Sequence, residues 1–345
     1  MNLESLLILF YSSMFYLLIY IMLALSTNIE YGYTGVPNLG KVLFFFIGSI
    51  VTAALTTKIY DSILGVADPL SAVAASLRVA YAADNPAVSI GIFILSLVLS
   101  AGVAGVIGYL ASYPALALKE SMLAITLLIF GEAARVFVRT YEPLVGGVFG
   151  ISGIANPFVF LKQPTLVTTA YLATTFLVTA LVFVLVERVS NSPFGRVMKA
   201  VRDDELVGYV FGKNVAQVRG QVLFIGSAIA GAAGSIYTFY SQSIFPDDFV
   251  PSITFFILTM IILGGVANNV GAVVGAVVLS LFERFSQAST LAVFGIVVGF
   301  DISYLRYAFM GALIIVMLLF KPMGLVAEKQ VKTALYEVLK KRKPA

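Results

Sequence analysis

The residues in this chain that could do chemistry are few, and their spacing narrows the choice further. Among 345 residues there is no histidine and no cysteine. That removes the imidazole base, the thiolate nucleophile, any disulfide framework and the ordinary zinc and haem ligands. The run Gly35-Val-Pro-Asn-Leu-Gly40-Lys41-Val42 approaches the phosphate loop G-x4-G-K-[ST]. Val42, however, stands where a hydroxyl would hold magnesium, and apolar segments flank the run instead of a strand and a soluble helix. No nucleotide site is expected there. The acidic runs are Asp203-Asp204-Glu205 and Asp247-Asp248. A metal-dependent prenyltransferase would need such clusters near one membrane face, and the orientation argued below puts these two on opposite sides, so no metal site is expected. Glu132, Arg135 and Arg139 interrupt an otherwise apolar segment at spacings that share one helical face. Charges inside a membrane are costly and are often kept for function. Two readings of the Glu132–Arg135 pair stand: a neutralised structural pair with Arg139 and Glu142 at the outer interface, or a polar surface facing a pore or a partner membrane subunit.

The elements that must position these groups follow from composition. Apolar residues make up 60% of the chain and charged residues 12%, against about 45–50% and about 25% in soluble domains. The mean hydropathy of +0.98 agrees. The expected fold class is an all-α polytopic membrane protein with eight to ten transmembrane helices, some broken or re-entrant. Apolar stretches long enough to cross, at roughly 20 residues each, fall near 5–27, 42–57, 88–112, 121–139, 165–186, 216–240, 252–267, 270–283 and 303–320. The stretch 42–57 is short and reads as a candidate half of a broken helix. The N-terminal apolar run carries Glu4 in place of a basic flank and does not read as a signal peptide. A net charge of +4 would suggest nucleic acid in a soluble chain; here no nucleic-acid partner is expected, because the bases mark the cytoplasmic side. Thirteen of the 22 lie in two segments, 188–219 and the tail from Lys321 onward, whereas 241–251 carries Asp247, Asp248 and no base. Both basic segments are assigned to the cytoplasm. With nine crossings the N-terminus is then external.

Segment 190–214 reads as two short surface helices. Ser192 is an N-cap with Pro193 at the first helical position. Arg196, Lys199 and Arg202 share one face, with Val197, Met198 and Val201 on the other. A second helix begins near Asp203, with Asp204 and Glu205 in its first turn, an apolar body of Leu206, Val207, Tyr209, Val210 and Phe211, and Gly212 as a left-handed C-cap. Its use is either as a solvated connector or as a knob for a cytoplasmic partner's groove. Segment 58–87 is expected outside, with Asp68-Pro69 opening a helix that carries Leu70, Val73 and Leu77 on one side. In the tail, Val331, Ala334, Leu335, Val338 and Leu339 recur at helical spacing beside lysines, which suits an amphipathic helix on anionic lipid.

Irregular backbone at membrane depth persists only where protein buries it or water lines it. Two such regions, Gly32–Gly40 and Gly264–Gly271, point by analogy with other transporters to a translocation path, with Asn28, Tyr33, Thr34 and Asn38 as its candidate lining. Ser227, Gly231 and Ser235, and the Gly271–Gly275 pair, have the spacing of close helix packing.

An ordered set of blocks adds a resemblance. Ser192–Glu205 with Gly212-Lys-Asn214, Gly226–Gly234, Ile261–Gly275 and Phe320-Lys-Pro-Met-Gly-Leu325 resemble permeases of branched-chain amino-acid ABC importers, most nearly the M-type subunit. Leu25–Gly40, Leu123–Arg135 and Gly146–Pro157 extend the likeness upstream, to about two-thirds of the chain. The resemblance implies a multi-pass permease domain over 1–325, a basic cytoplasmic tail over 326–345, and residence in a prokaryotic plasma (inner) membrane. It implies as partners a second permease subunit, two ABC ATPase subunits and an extracytoplasmic solute-binding protein. This chain would then be no enzyme and bind no cofactor, with ATP and magnesium on the ATPases. Family permeases insert a glutamate-led cytoplasmic helix into the ATPase. The matching residues here are Arg202, Asp204, Glu205, Leu206, Tyr209, Phe211 and Gly212, with Leu206 and Val207 bulkier than the small residues usual there. Related permeases carry sugars, nucleosides or other amino acids, so another solute is the alternative. An ion-coupled secondary carrier, with Glu132 as the ion-binding carboxylate, is the rival of a different class.

Overall fold

The computed structural model describes residues 3–66, 68–113, 120–210, 212–287 and 302–328. Long apolar helices dominate. They are α1 (Leu3–Thr27), α2 (Lys41–Leu64), α3 (Ala72–Asp84), α4 (Pro86–Leu110), α5 (Glu120–Thr140) and a single turn α6 (Glu142–Val145). There follow α7 (Pro164–Asn191), the short α8 (Pro193–Asp203) and α9 (Glu205–Val210), then α10 (Val215–Ser241), α11 (Ser252–Gly264), α12 (Asn269–Phe285) and α13 (Ile302–Phe320). The strand content among the described residues is one two-residue antiparallel pair, β1 (Ile151–Ser152) with β2 (Ser243–Ile244). Among the described residues, six segments are long and apolar enough to cross a membrane: Leu6–Gly32, Lys41–Leu64, Pro86–Leu110, Pro164–Asn191, Val215–Ser241 and Pro246–Gly264. The chain is a multi-pass membrane protein. α2 is a full-length helix rather than part of a broken one, which corrects the reading of 42–57. The apolar run looked short because Lys41, Lys58 and Asp61 bound it; Lys41 and Asp61 are neutralised by partners inside the fold.

α10 sits at the centre and packs most heavily on α4 and α2. Small residues set that packing. At Gly48 of α2 an added Cβ would strike the backbone of Gly231 in α10, and at Gly231 it would strike Ser100 and Ala104 of α4. Three helices thus touch nearly backbone to backbone. Between lipid tails, where burial of apolar surface gives no drive, such closeness and interhelical hydrogen bonds hold helices together. Ser100 Oγ donates to the Gly48 carbonyl at 2.9 Å, Ser49 Oγ to the Gly234 carbonyl at 3.1 Å, and Thr52 and Ser100 share a hydroxyl contact of 2.8 Å. The spacing argument for the small residues of α10 holds in the structure.

The long helices alternate between two ends. At one end lie α8, α9, the α11–α12 turn and residues 321–328. At the other lie α3, α6, the β1–β2 pair and the loop into α11, fastened by Arg78. That guanidinium is fully buried, bidentate to Asp61 at 2.7 and 2.8 Å, and donates to the carbonyls of Ser152 and Pro69. The basic and the acidic loops therefore occupy opposite ends, as the charge distribution predicts. Within 58–87 the helix starts at Ala72, one turn later than Asp68-Pro69 suggests, because Ser71 caps it through the Ala74 N–H. Asp68 instead accepts from Leu70 N–H in the preceding turn. Leu70, Val73 and Leu77 are exposed there. The tail residues 329–345 and Phe211 lie outside the described residues.

Candidate functional site

Two interruptions in the helices meet inside the bundle. α1 does not stop at Thr27 but widens into a π turn over Asn28–Gly32, a local defect that often marks functional sites. Opposite it, residues 265–268 break α11 from α12. Asn28 joins the two. Its Oδ1 accepts from Ala267 N–H at 3.0 Å and its Nδ2 donates to Asn269 Oδ1 at 3.2 Å. Asn269 in turn donates to Glu187 at 2.7 Å and Ser190 at 3.0 Å, both near the end of α7.

Below the same π turn lies a buried ion pair. Lys41 Nζ is 2.6 Å from Glu30 Oε1, and both side chains are 0% exposed. Asn38 donates to the other Glu30 oxygen at 2.9 Å, and Lys41 also donates to Ser26, whose hydroxyl donates to the Gly226 carbonyl. An added Cβ at Gly226 would collide with the Glu30 carboxylate. Every strong polar atom of the pair thus has a partner, which is what makes two charges tolerable in a low-dielectric interior. The lysine that mimics a phosphate-loop residue is therefore an internal counter-ion. No local motif singles out Glu30. Its signal was a lone acid and a lone base on either side of a glycine-broken stretch.

Asn28, Tyr33, Thr34 and Asn38 are all buried. Their groups are engaged with protein: Thr34 with the Ile29 carbonyl, Asn38 with Glu30 and Gly40 N–H, and Tyr33 under the ammonium of Lys199 at 5.3 Å from the ring centre. The structure brings these four together at the helix joint.

α8 touches that joint directly. Ser192 caps it by accepting from Gly195 N–H at 3.3 Å. Met198 and Val201 are buried against Val215, Val218 and Val222 of α10 and Ile29 of the π turn. Arg202 Nη1 donates to the Gly32 carbonyl at 2.9 Å and meets Glu328 at 3.1 Å; Lys199 reaches the same Glu328 at 3.0 Å. The basic face is thus a clasp onto residues 31–35 and the C-terminal segment. Asp204 caps α9 through Leu206 N–H at 2.8 Å, and Glu205 pairs with Arg219 of α10. Gly212 takes φ +67°, the left-handed conformation that a C-cap requires. Between these anchors Leu206, Tyr209 and Val210 are 72%, 56% and 83% exposed.

Glu132 and Arg135 are paired as expected, at 2.5 and 3.0 Å. Asp247 joins them, 2.7 Å from Arg135 and 3.6 Å from Arg139. The pair is only partly sheltered, with side-chain exposures of 14% for Arg135 and 37% for Glu132. Spacing within one helix could not reveal Asp247, 112 residues away from Arg135.

The family described as "Branched-chain amino acid transport system / permease component" matches residues 9–318. The chain belongs to this permease family. A probable branched-chain amino acid transport permease protein LivM of Methanocaldococcus jannaschii is 31% identical over 325 residues, 91% of this chain and 92% of that one. The high-affinity branched-chain amino acid transport system permease proteins LivM of Salmonella typhimurium and Escherichia coli are each 25% identical over 332 residues, 90% of this chain and 68% of theirs. No solved structure matches the chain significantly. In this permease the surface helix α8 is bonded to the turn in which the membrane helix α1 changes its hydrogen-bond register.

Proposed function

We propose that this permease forms the membrane path of an ATP-driven importer of branched-chain amino acids in a prokaryotic plasma membrane. Its partners are a second permease subunit, two ABC ATPase subunits that bind ATP and magnesium, and an extracytoplasmic solute-binding protein. The observation that carries the reading is the exposed apolar knob of α9, held between two folded anchors and continuous with α8. Three large apolar side chains in water suit a partner's groove, and the ATPase is the partner that must push there. Movement of α8 would bias the joint at Asn28–Gly32 and so alternate access, the link being the ATPase's differential affinity for the two permease states. Glu132, on which an ion-coupled carrier would depend, already has its carboxylate on Arg135.

The test is co-purification from native membranes followed by reconstitution. Recovery of ATPase and binding protein, and ATP-dependent uptake of leucine, isoleucine or valine by the reconstituted complex, is the expected result. Uptake by this chain alone, driven by an ion gradient, would overturn it.

A further inference from the structure

Residues 321–328 follow α13 and run along the break between α11 and α12. Helix ends leave backbone carbonyls without intrahelical partners, and this segment supplies donors for two of them at the end of α11. Leu325 N–H donates to the Leu263 carbonyl at 2.9 Å and Val326 N–H to the Gly264 carbonyl at 2.8 Å. Asn268 holds the next residue. Its Nδ2 donates to the Ala327 carbonyl at 2.9 Å, while its Oδ1 caps α12 by accepting from Val270 and Gly271 N–H. The approach is backbone to backbone: a Cβ added at Gly265 would strike the Val326 carbonyl, and one at Gly324 would strike Gly265. Glu328 then reaches across to α8. One of its oxygens lies 3.0 Å from Lys199 Nζ and the other 3.1 Å from Arg202 Nη1.

These contacts close a ring. Arg202 bonds α8 to the Gly32 carbonyl of the π turn, and Asn28 bonds the π turn to Ala267 N–H in the α11–α12 break. Residues 325–327 bond that break to the C-terminal segment, and Glu328 returns the ring to α8. Without its carboxylate, the polar contacts of α8 would reach the α1 side of the joint directly and the α11–α12 side only by way of Asn28. We propose that Glu328 is a positioning residue for transport: it ties the α11–α12 side of the joint to α8, so that both helix breaks follow the surface helix as one body. The proposal rests on the importer reading above and names a side chain that keeps ATP use and solute movement in step. The two ion pairs are partly open to water, with side-chain exposures of 23% for each base and 30% for Glu328. Ion pairs so placed add little to folding, so their effect is on where α8 sits. Lys199 and Arg202 are three residues apart on one helical face, and two cations held by one carboxylate fix the rotation of α8 as well as its distance.

The test measures two rates on the whole complex in proteoliposomes with binding protein: ATP hydrolysis and uptake of radiolabelled L-leucine. Their ratio, leucine taken up per ATP hydrolysed, is the readout. Glu328→Gln keeps the size of the side chain and removes its charge. It should lower the ratio at least fivefold, with the complex recovered intact and hydrolysis at no less than half the wild-type rate. Glu328→Asp restores the carboxylate on a shorter stem and should regain at least half of the lost ratio. Asn268→Asp keeps an oxygen to cap α12 but replaces the donor to Ala327 with an acceptor. It should lower the ratio in the same way, and adding it to Glu328→Gln should cost little more, because the ring is already open. A normal ratio in Glu328→Gln would overturn the proposal and leave the importer standing. Uptake and hydrolysis falling in step, or loss of the complex, would make Glu328 a structural brace and overturn it as well. Independent losses that multiply in the double variant would refute the ring. Absence of ATP-driven uptake by the wild type would overturn the importer reading itself, and the proposal with it.

Discussion

Arg202 Nη1 donates to the main-chain carbonyl of Gly32 at 2.9 Å across 170 residues of sequence. The same guanidinium meets Asp203 and Glu328, so one side chain on the surface helix fixes the π turn of α1 and the C-terminal segment together. A planar fork with five donors is suited to that, and an ammonium is not. Arg202→Gln should reduce ATP-driven uptake at least tenfold with the protein still inserted. Arg202→Lys should recover only part, since one ammonium cannot hold the same three acceptors. Equal uptake by Arg202→Gln and wild type in proteoliposomes would show that the contact transmits nothing.

The Glu30–Lys41 pair gives a stability prediction with a built-in reversal. Removing one partner leaves a buried charge uncompensated, at a cost of about 3–5 kcal/mol. Glu30→Gln and Lys41→Met should each lower the unfolding midpoint in detergent. The double variant Glu30→Gln/Lys41→Met should recover most of the loss, because no charge is then stranded. Gly226→Ala should behave like Glu30→Gln, since its methyl group displaces the carboxylate. Additive losses in the double variant would refute the pairing argument.

α9 is expected to fail mechanically, not structurally. Glu205→Lys sets an ammonium against the guanidinium of Arg219 where the structure has an ion pair. Gly212→Val forces a β-branched residue to positive φ. Both should abolish uptake and stimulated ATPase activity in the whole complex while insertion persists. Gly212→Asn should retain most activity, because asparagine visits the left-handed region. Normal transport by both disruptive variants would reduce the loop to a connector.

Orientation is open to a direct measurement because the chain has no cysteine. Cysteines introduced at the exposed positions Leu206 and Val73 should label from opposite sides of the membrane with an impermeant reagent, Val73 from outside and Leu206 only after permeabilisation. Labelling of both from one side would contradict the placement of basic and acidic loops at opposite ends.

Much of this was legible in the residues. Composition and apolar run length predicted the helices, and Ser192, Pro193, Asp204 and Gly212 announced the two surface helices through local capping chemistry, which acts within a turn and so can be read from neighbours. What escaped was long-range pairing. Nothing local tells that Lys41 neutralises Glu30, that Asp247 closes on Arg135, or that Arg219 answers Glu205. The end of α2 was hidden for the same reason: Asp61 is tolerable in an apolar helix only because Arg78, on another element, meets it.

The contact between Gly48, Gly231 and Ser100 bears on how the transport cycle divides its labour. Helices separated by layers of long side chains can slide by small rotamer adjustments. Helices whose backbones interlock cannot, because no deformable layer lies between them. α2, α4 and α10 therefore form one interlocked unit, suited to be the stator of the proposed machine. In the proposed importer cycle, a stroke on α8 would then be absorbed by hinging where α1 is already irregular and where α11 gives way to α12, the two places in which regular α-helical hydrogen bonding is interrupted.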